Sequence, residues 1–373
     1  MTRIPRIVLA FLVAIPGCFP IDLDTNNKGD LLIPREEGFF LYDWRSGKTT
    51  RLPWHGNGLP VYARLAPNAT DVVLASTTQK DLAKEFRLEL MPIQGGVPRS
   101  LYKTDKKNGH SAVLSPDGKK LAVVQFDSVL QNYMPEIQIV DLASAKSSLL
   151  ADKAGPFVHW LSDSKRLLTI KIDEEVDGTH EYLGRIGLID ASDGSFSPLA
   201  ILLGDRADFF AISPDLKRVL FSAYSAGKDG LKLDPKDAKS RALFELNLDT
   251  KAVRKLPGLD REIEFARYAP DGKRVLLVAT RQDRFLLQRC DLIVTDADLQ
   301  NPTVVARNAN LRHIGSTRSM PGWLDDKAIY YFAKVNVYGT AGHAIHLRIV
   351  NADGSNNRDV QPDIDLAVEA HAR

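Results

Sequence analysis

Three acidic residues at alternate positions of one polar segment have a spacing that could bind calcium. Asp173, Glu175 and Asp177 would occupy the first, third and fifth positions of a loop, with Gly178 at the sixth. Carboxylates in this arrangement can surround a calcium ion, which takes only oxygen ligands. The twelfth position holds Gly184, where a bidentate glutamate would be needed. The segment therefore predicts a solvated hairpin loop, with calcium at the three acids as the alternative.

Histidines near the C-terminal end could bind a transition metal. His343 and His346 are three residues apart, and His313 could approach from the preceding repeat. Imidazole nitrogens are ligands for zinc, manganese and copper. However, residues 344–349 have the pattern of a strand, on which residues three apart point to opposite faces. One inward and one outward histidine is therefore predicted rather than a metal centre.

No residue has the surroundings of a catalytic nucleophile. Ser225 lies in an Ala-Tyr-Ser-Ala-Gly segment that lacks the first glycine of a nucleophile elbow. Residues 228–230 after it are turn-like rather than helical, so a loop serine is predicted. The sequence also contains no glycine-rich phosphate loop, no paired-cysteine metal motif and no dinucleotide fingerprint. It therefore identifies no catalytic residue and no cofactor.

The first residues have the pattern of an export signal. Arg3 and Arg6 form a positive region, and residues 7–15 form an apolar stretch too short for a bilayer, which requires about 20 residues. The segment Ile-Pro-Gly-Cys that ends at Cys18 resembles a lipoprotein-processing site. We therefore predict that residues 1–17 are removed and that Cys18 carries lipid. Ordinary cleavage and an uncleaved anchor are the alternatives.

The residues after the cysteine indicate where such a lipoprotein would reside. Phe19, rather than aspartate, follows Cys18, which in Gram-negative bacteria resembles export onward to the outer membrane. The predicted location is extracytoplasmic, on the periplasmic side of that membrane or at the cell surface. Residues 18–28 are polar and predict a short tether.

Composition excludes several classes of partner. The chain has 373 residues, 44% of them hydrophobic, and its formal net charge of +2 falls to 0 when Arg3 and Arg6 are removed. The sequence lacks the stripe of basic residues that would predict nucleic acid binding. Lipidation of Cys18 would leave no second cysteine to form an intramolecular disulfide with Cys290, which starts an apolar run and is predicted to be a buried thiol. A monomer is predicted.

One short pattern occurs six times and determines the predicted architecture. Its clearest copies are Ser-Pro-Asp-Gly-Lys at residues 115–119 and Ala-Pro-Asp-Gly-Lys at residues 269–273. Equivalent positions 67, 116, 162, 214, 270 and 325 are 46 to 56 residues apart. Self-similarity near this period is typical of propeller blades. In each turn, proline sets the first position, aspartate bonds its own backbone and glycine accepts a positive φ.

Strands and turns follow in the same order in every repeat. The third unit, for example, predicts strands at 111–115, 120–125, 136–141 and 146–150. Pairs of outer strands are predicted in seven places: 39–52, 88–102, 137–150, 186–200, 243–256, 292–306 and 346–360. We therefore predict an all-β propeller of seven four-stranded blades over residues 29–373, with eight blades as the alternative. Residues 30–34 supply one inner strand of the first blade, and residues 364–368 could supply the other and close the ring. A frayed tail is the alternative for that segment.

These Ser-Pro-Asp-Gly-Lys repeats resemble the propeller repeats of the TolB family, of WD-repeat-like proteins and of prolyl-oligopeptidase-type enzymes, over residues 29–360. The resemblance implies the architecture and leaves the activity open, since fold and function separate freely. TolB proteins carry an α/β domain before the propeller and the oligopeptidases carry a hydrolase domain, neither of which is expected here. Oligogalacturonate-lyase propellers bind metal through histidines, and the sequence shows no clear copy of their histidine-rich segment.

Strand order divides the connections between two faces of the ring. The Pro-Asp-Gly turns and the turns between outer strands are short and share one face, called here the short-turn face. Connections between second and third strands, and between blades, share the opposite face, called here the long-loop face. Long loops on a rigid scaffold are common binding sites. Residues of this face that could reach the mouth of the central channel are Trp54, His55, His110, Asp205, Arg206, Arg261, Arg312, His313, Arg318, Asn336, Tyr338 and His343.

These observations predict a membrane-tethered, extracytoplasmic propeller that binds a protein or peptide partner on its long-loop face. Trp, Tyr and Arg, which dominate protein interfaces, occur among the candidate residues. Solvated loops with scattered charges are the alternative for each residue. The alternative function is a propeller enzyme that acts on polysaccharide, with a bound metal.

Overall fold

The computed structural model describes residues 20–22, 31–35, 38–56, 58–66, 70–77, 85–104, 110–127, 132–175, 181–205, 210–228, 241–257, 259, 261–281, 289–309, 318–336 and 343–360. These residues form strands and turns, with no helix among them. No described segment is therefore a helix that could cross a membrane.

Seven blades form a β-propeller, which confirms the predicted fold class. The chain begins with a short strand, β1 (Pro20–Asp22). The first blade then contains three described strands, β2 (Leu31–Arg35), β3 (Gly38–Asp43) and β4 (Lys48–Arg51). The second contains β5 (Leu59–Leu65), β6 (Asp71–Thr77), β7 (Phe86–Pro92) and β8 (Arg99–Thr104). The third contains β9 (His110–Leu114), β10 (Lys120–Asp127), β11 (Asn132–Asp141) and β12 (Lys146–Ala151).

The later blades repeat this order. The fourth contains β13 (Ala154–Trp160), β14 (Arg166–Glu175), β15 (Glu181–Asp190) and β16 (Phe196–Asp205). The fifth contains β17 (Phe210–Ile212), β18 (Arg218–Ala223), the short β19 (Ser225–Gly227), β20 (Ala242–Asn247) and β21 (Val253–Lys255). The sixth contains β22 (Ile263–Tyr268), β23 (Arg274–Arg281), β24 (Arg289–Asp296) and β25 (Thr303–Ala309). The seventh contains β26 (Arg318–Met320), β27 (Gly322–Trp323), β28 (Ala328–Asn336), β29 (His343–Asn351) and β30 (Arg358–Asp359). All seven predicted pairs of outer strands are present.

The repeated turn owes its shape to one serine and one aspartate. Ser115 Oγ donates to Asp117 Oδ1 at 2.6 Å and accepts from the Lys120 amide at 2.9 Å. The fifth blade repeats this arrangement, since Ser213 Oγ donates to Asp215 Oδ1 at 2.5 Å. Each hydroxyl therefore satisfies a backbone donor and orients the carboxylate that caps the turn, as expected of Asx-type turns.

A second set of bonds joins the inner turn of a blade to its outer turn. In the third blade the Leu142 amide donates to the Lys119 carbonyl at 3.0 Å. The amides of Ala191, Leu248, Ala297 and Ala352 make the equivalent bond in the fourth to seventh blades. In the second blade the Ile93 amide donates to the Thr70 carbonyl at 2.8 Å, so the same bond joins the two turns of the short-turn face in six blades.

Packing between the first and last blades closes the ring. Leu31, Ile33 and Tyr42 of the first blade lie in one buried cluster with Tyr330 and Ile349 of the seventh. At the rim, Arg358 donates to the Trp44 carbonyl at 2.8 Å, and Arg45 pairs with Asp325 at 3.2 Å. Burial of large apolar side chains on both sides stabilises this junction. The predicted closing strand at 364–368 lies outside the described residues.

Several strands extend further than the sequence predicted. Residues 173–185 were expected as one long loop, but β14 continues to Glu175 and β15 begins at Glu181. Residues 224–241 were also expected as loop, yet β19 lies among them and pairs with β16 of the preceding blade. Alternation of apolar and polar residues had marked only the buried part of each strand. The ends, which carry charged side chains, gave no such signal.

The N-terminal strand was not predicted at all. Residues 18–28 were expected as a polar tether, but β1 pairs in parallel with β26 of the seventh blade, Pro20 opposite Arg318 and Asp22 opposite Met320. A three-residue strand is too short to show periodicity in the sequence. Part of the expected tether is therefore attached to the ring.

Candidate functional site

Strand registers identify which connections share a face. In the third blade Lys120 lies opposite Asp141 at one end of the sheet, and Asp127 lies opposite Asn132 at the other. The first end belongs to the short-turn face, where the described strands are joined by four to six residues in every case. The second belongs to the long-loop face, where connections vary from two residues between β2 and β3 to eighteen between β18 and β20. Variability in length, rather than uniformly long loops, therefore distinguishes the predicted binding face.

Ion pairs lie at the ends of several strands on the long-loop face. In the second blade Glu85 accepts from Arg87 and lies 3.5 Å from Lys103. In the fourth, Arg185 binds both carboxylate oxygens of Asp173, at 2.5 and 2.7 Å. This pairing raises the pKa of the Arg185 guanidinium. Such exposed pairs contribute little to stability, so they leave the surface polar without fixing the strand ends firmly.

A more buried cluster joins the fifth blade to the sixth. Arg241, only 8% exposed, lies 2.7 Å from Glu262 Oε1 and 3.5 Å from Glu264 Oε2. Thr280 Oγ1 donates to the Glu262 carbonyl at 3.1 Å and to Glu264 Oε1 at 3.4 Å. Glu262 and Glu264 lie on either side of Ile263, the first residue of the innermost strand β22. Arg241 of the fifth blade therefore positions the start of this strand in the sixth blade.

An exposed arginine bound to a buried aspartate lies beside this cluster. Arg261 Nη1 donates to Asp291 Oδ2 at 2.8 Å, and the side chains are 37% and 3% exposed. Asp291 Oδ1 is buried and has no hydrogen-bond partner among the described residues. A buried charge without a partner is costly, so loss of the contact with Arg261 would be unfavourable for Asp291. The aspartate therefore holds the Arg261 side chain in place. We call Arg241, Arg261, Glu262, Glu264 and Asp291 the sixth-blade rim.

The structure buries Trp54, which the sequence had assigned to the channel mouth. Its ring is 5% exposed and packs edge-on against Phe39, with centroids 5.1 Å apart. Its indole nitrogen donates to Glu89 Oε2 at 2.9 Å. Trp54 therefore packs between the first and second blades and does not line the channel mouth, which corrects the sequence assignment. The assignment was wrong because the ring that covers Trp54, Phe39, is distant in sequence and left no local pattern.

The other candidate residues are described to different extents. His55 and Arg261 are exposed on the long-loop face. The backbone of five others lies at strand ends on that face, and nothing is described of their side chains: His110, Asp205, Arg318, Asn336 and His343. Arg206, Arg312, His313 and Tyr338 lie outside the described residues. Asn336 and His343 are opposite each other across β28 and β29, so the strands bring these two together.

Neither metal hypothesis has a donor set in the described structure. Asp173 and Glu175 lie on β14, and Asp173 is already bound by Arg185, whereas Asp177 lies outside the described residues. In the described part of the chain no three His, Cys, Asp or Glu side chains come together to hold a metal. His343 and His346 both lie on β29, as the predicted strand required, and His346 is half-buried.

Sequence reasoning missed most of the sixth-blade rim. Arg261 was a candidate, but Arg241, Glu262, Glu264 and Asp291 were not. The one available signal was Asp291, a charged residue at the start of the apolar run that follows Cys290. Cys290 itself is buried, as predicted. His159 on the innermost strand β13 was also missed, and burial lowers the pKa of its imidazole.

Comparisons with known proteins identify the fold and no more. No family model matches the sequence, and no curated protein matches it. Among solved structures, an oligogalacturonate lyase in complex with manganese has a TM-score of 0.61 and 14% identity, covering 90% of this chain and 87% of that chain. The oligogalacturonate lyase of Vibrio parahaemolyticus has a TM-score of 0.62 and 12% identity, covering 90% and 88%. TolB from Acinetobacter baumannii has a TM-score of 0.48 and 15% identity, covering 87% and 77%. At these identities the likeness is one of propeller architecture.

Proposed function

We propose that this protein is a membrane-tethered, extracytoplasmic propeller that binds a protein or peptide partner on its long-loop face. The observation that carries the proposal is Arg261, the exposed arginine of the sixth-blade rim, which is positioned by the buried Asp291. Arginine is among the residues that contribute most binding energy at protein interfaces, above all where its position is fixed in advance. Exposed Glu262 beside it supplies the opposite charge. The rim can therefore pair with both a basic and an acidic group of a partner.

The tether of this proposal is a lipid on Cys18, with residues 1–17 removed. Mass spectrometry of the protein purified from membranes should find an N-terminal Cys18 that carries acyl chains. The variant Cys18→Ser should move to the soluble fraction. An intact N-terminus or an unmodified Cys18 would contradict the tether, and would leave the binding face to be tested separately.

The binding face is tested with two double variants, each of which replaces two exposed residues of one face with glutamate. The first, His55→Glu with Lys103→Glu, changes exposed positions of the long-loop face. The second, Lys48→Glu with Lys119→Glu, changes exposed positions of the short-turn face. Parent and variants are captured from detergent-solubilised membranes, and co-purifying proteins are quantified. A true partner should be depleted about tenfold by the first variant only, as expected for a loss near 1.4 kcal/mol. Equal depletion by both variants, or depletion by the second alone, would contradict the proposal.

The alternative from the sequence, a metal-dependent enzyme acting on polysaccharide, shares only its fold with the two lyases. The candidate metal ligands of this alternative are His313 and His343, whose side chains lie outside the described part of the structure. Metal analysis of the purified protein separates the two hypotheses. Stoichiometric manganese or zinc that is lost in a His313→Ala variant would favour the enzyme.

A further inference from the structure

The direction of the N-terminal strand determines which face of the ring its anchor lies on. Strand β1 pairs with β26 in parallel over three residues, Pro20 with Arg318, Ile21 with Ser319 and Asp22 with Met320. Met320 is buried in a core cluster that extends from the fifth to the seventh blade, which fixes β26 relative to the ring. The path of β26 therefore gives the path of β1.

Strand β26 runs from the long-loop face towards the short-turn face. It is followed by Pro321 and by β27, which pairs with β28 as the innermost strand of the seventh blade. β27 ends in the turn where the Leu324 amide donates to the Ala328 carbonyl at 2.8 Å. That turn is joined to the outer turn by the Ala352 amide, which donates to the Lys327 carbonyl at 2.7 Å, so it belongs to the short-turn face. β26, upstream of β27, accordingly occupies the long-loop half of the strand.

Because β1 is parallel to β26, the chain enters β1 from the long-loop side. The following strand agrees with this direction. β2 begins at Leu31, opposite Tyr42, next to the short turn of the first blade, so β2 starts on the face towards which β1 runs. Cys18 precedes Pro20 by two residues, and two residues span at most about 7 Å. A lipid on Cys18 must therefore attach at the long-loop face, next to the innermost strand of the seventh blade.

We propose that the lipid on Cys18 holds the ring with its long-loop face against the membrane surface. The partner bound on that face is then a protein or peptide carried by the same membrane. This inference rests on the lipid tether of the proposed function and deepens it. The short-turn face, one strand length or about 20 Å further away for six residues, would project into the aqueous phase.

The described surface charges of the long-loop face do not favour this orientation. The described exposed residues of the long-loop face include both signs, such as Lys103 and Lys153 against Asp152 and Glu174. A face of mixed charge gains little from anionic headgroups, which attract clusters of basic residues. The orientation should therefore depend on the short connection between Cys18 and β1, and hardly on salt.

The orientation is tested with a fluorescent label at matched positions on the two faces. His55→Cys and Lys153→Cys lie on the long-loop face, and Lys48→Cys and Lys119→Cys lie on the short-turn face; all four positions are exposed. Cys290 is buried, and a lipidated Cys18 has no thiol to label. Each full-length variant is purified from membranes, checked for an unchanged melting temperature and reconstituted in phosphatidylcholine vesicles. Two positions per face keep the test valid if one variant does not fold.

Quenching by lipid and by solute gives opposite expectations for the two faces. Headgroup spin-labelled lipid should quench labels at 55 and 153 several-fold more than those at 48 and 119, and aqueous iodide should do the reverse. A control variant carries twelve Gly and Ser residues between Cys18 and Pro20, a flexible segment of roughly 20 Å. It should remain lipidated and lose the difference between the faces.

The outcomes separate this inference from the tether itself. Equal quenching at all four positions in protein whose Cys18 carries lipid would overturn the orientation and leave the tether standing. So would a preference of the lipid quencher for positions 48 and 119. An unmodified Cys18 in the mass spectrum would overturn both.

Discussion

The two faces of the ring are built by different means. On the short-turn face, connections of four to six residues repeat one set of bonds, such as Leu142 amide to Lys119 carbonyl and Ser115 hydroxyl to Asp117 carboxylate. On the long-loop face, connections of two to eighteen residues are accompanied by ion pairs that differ from blade to blade. The carboxylates of the first face mostly bind their own turns, whereas on the second face Asp173 and Glu262 bind arginines that are distant in sequence. One face is uniform and self-contained, and the other varies and presents its charges outward.

This difference shows why one face carries sequence information and the other carries a candidate function. Backbone geometry is the same in every blade, so the residues that satisfy it recur. No such requirement acts on the opposite ends of the strands, which are therefore available for contacts particular to this protein.

The largest expected effect breaks the sixth-blade rim. Arg261→Ala would leave Asp291, 3% exposed, as a buried charge without its arginine. We expect the free energy of unfolding to fall by about 2–4 kcal/mol, less than for a fully buried pair because Arg261 is partly exposed. Chemical denaturation measures the change.

A matched control comes from the same face. Lys103→Ala removes a cation whose partner Glu85 is 35% exposed, and should cost less than about 1 kcal/mol. In the double variant Arg261→Ala/Asp291→Asn, part of the loss should be recovered. If Arg261→Ala and Lys103→Ala unfold alike, the rim is no different from the other surface pairs.

The next prediction weakens the short-turn face through its glycines. Gly118 and Gly272 have φ values of +68° and +69°. An added Cβ would meet nothing within 4 Å at Gly118, and only Pro214 at 3.5 Å at Gly272. Gly118→Val and Gly272→Val should therefore destabilise by about 1–3 kcal/mol through backbone strain alone. If both variants have the same melting temperature as the parent, the turns accommodate the added side chain without strain.

Two other blades sharpen this prediction, because they place larger residues at the same turn position. Ser164 and Leu216 have φ values of 56° and 57°. Leu216→Gly should relieve strain but add freedom to the unfolded chain, so the net change should lie within about 1 kcal/mol. The same thermal unfolding measures this change in stability. It should be opposite in sign to the change caused by Gly118→Val, or much smaller.

The smallest expected effect is the response of the short-turn face to acid. Hydrogen bonds from Ser115 and Ser213 lower the pKa values of Asp117 and Asp215 below their ordinary value of 3.8. A carboxyl group whose pKa is lower in the folded state stabilises the fold above its unfolded pKa, and that stability is lost as pH falls below about 4. The double variant Asp117→Asn/Asp215→Asn should therefore lose less stability than the parent between pH 5 and pH 2.5. A steeper loss in the variant would contradict the assigned hydrogen bonds.

The turns made the architecture predictable. The Ser-Pro-Asp-Gly-Lys repeat located the inner turns and the seven outer strand pairs, because each of its residues has a local role in the backbone. The partners of Trp54 and Asp291 could not be found in this way. Phe39, Glu89 and Arg261 are brought to them by packing between strands and blades, which leaves no local pattern. For the same reason the sequence located the long-loop face but only one of the five residues of the sixth-blade rim.

Site-specific photo-crosslinking in intact membranes tests whether the two faces differ in function. A photoreactive phenylalanine analogue is introduced at His55 or Glu262 on the long-loop face, and at Lys48 or Lys119 on the short-turn face; all four are exposed. We expect a discrete adduct with the same membrane protein from both long-loop positions, and none from the short-turn positions. If the partner is crosslinked only from positions 48 and 119, or equally from all four positions, the long-loop face is not the binding face.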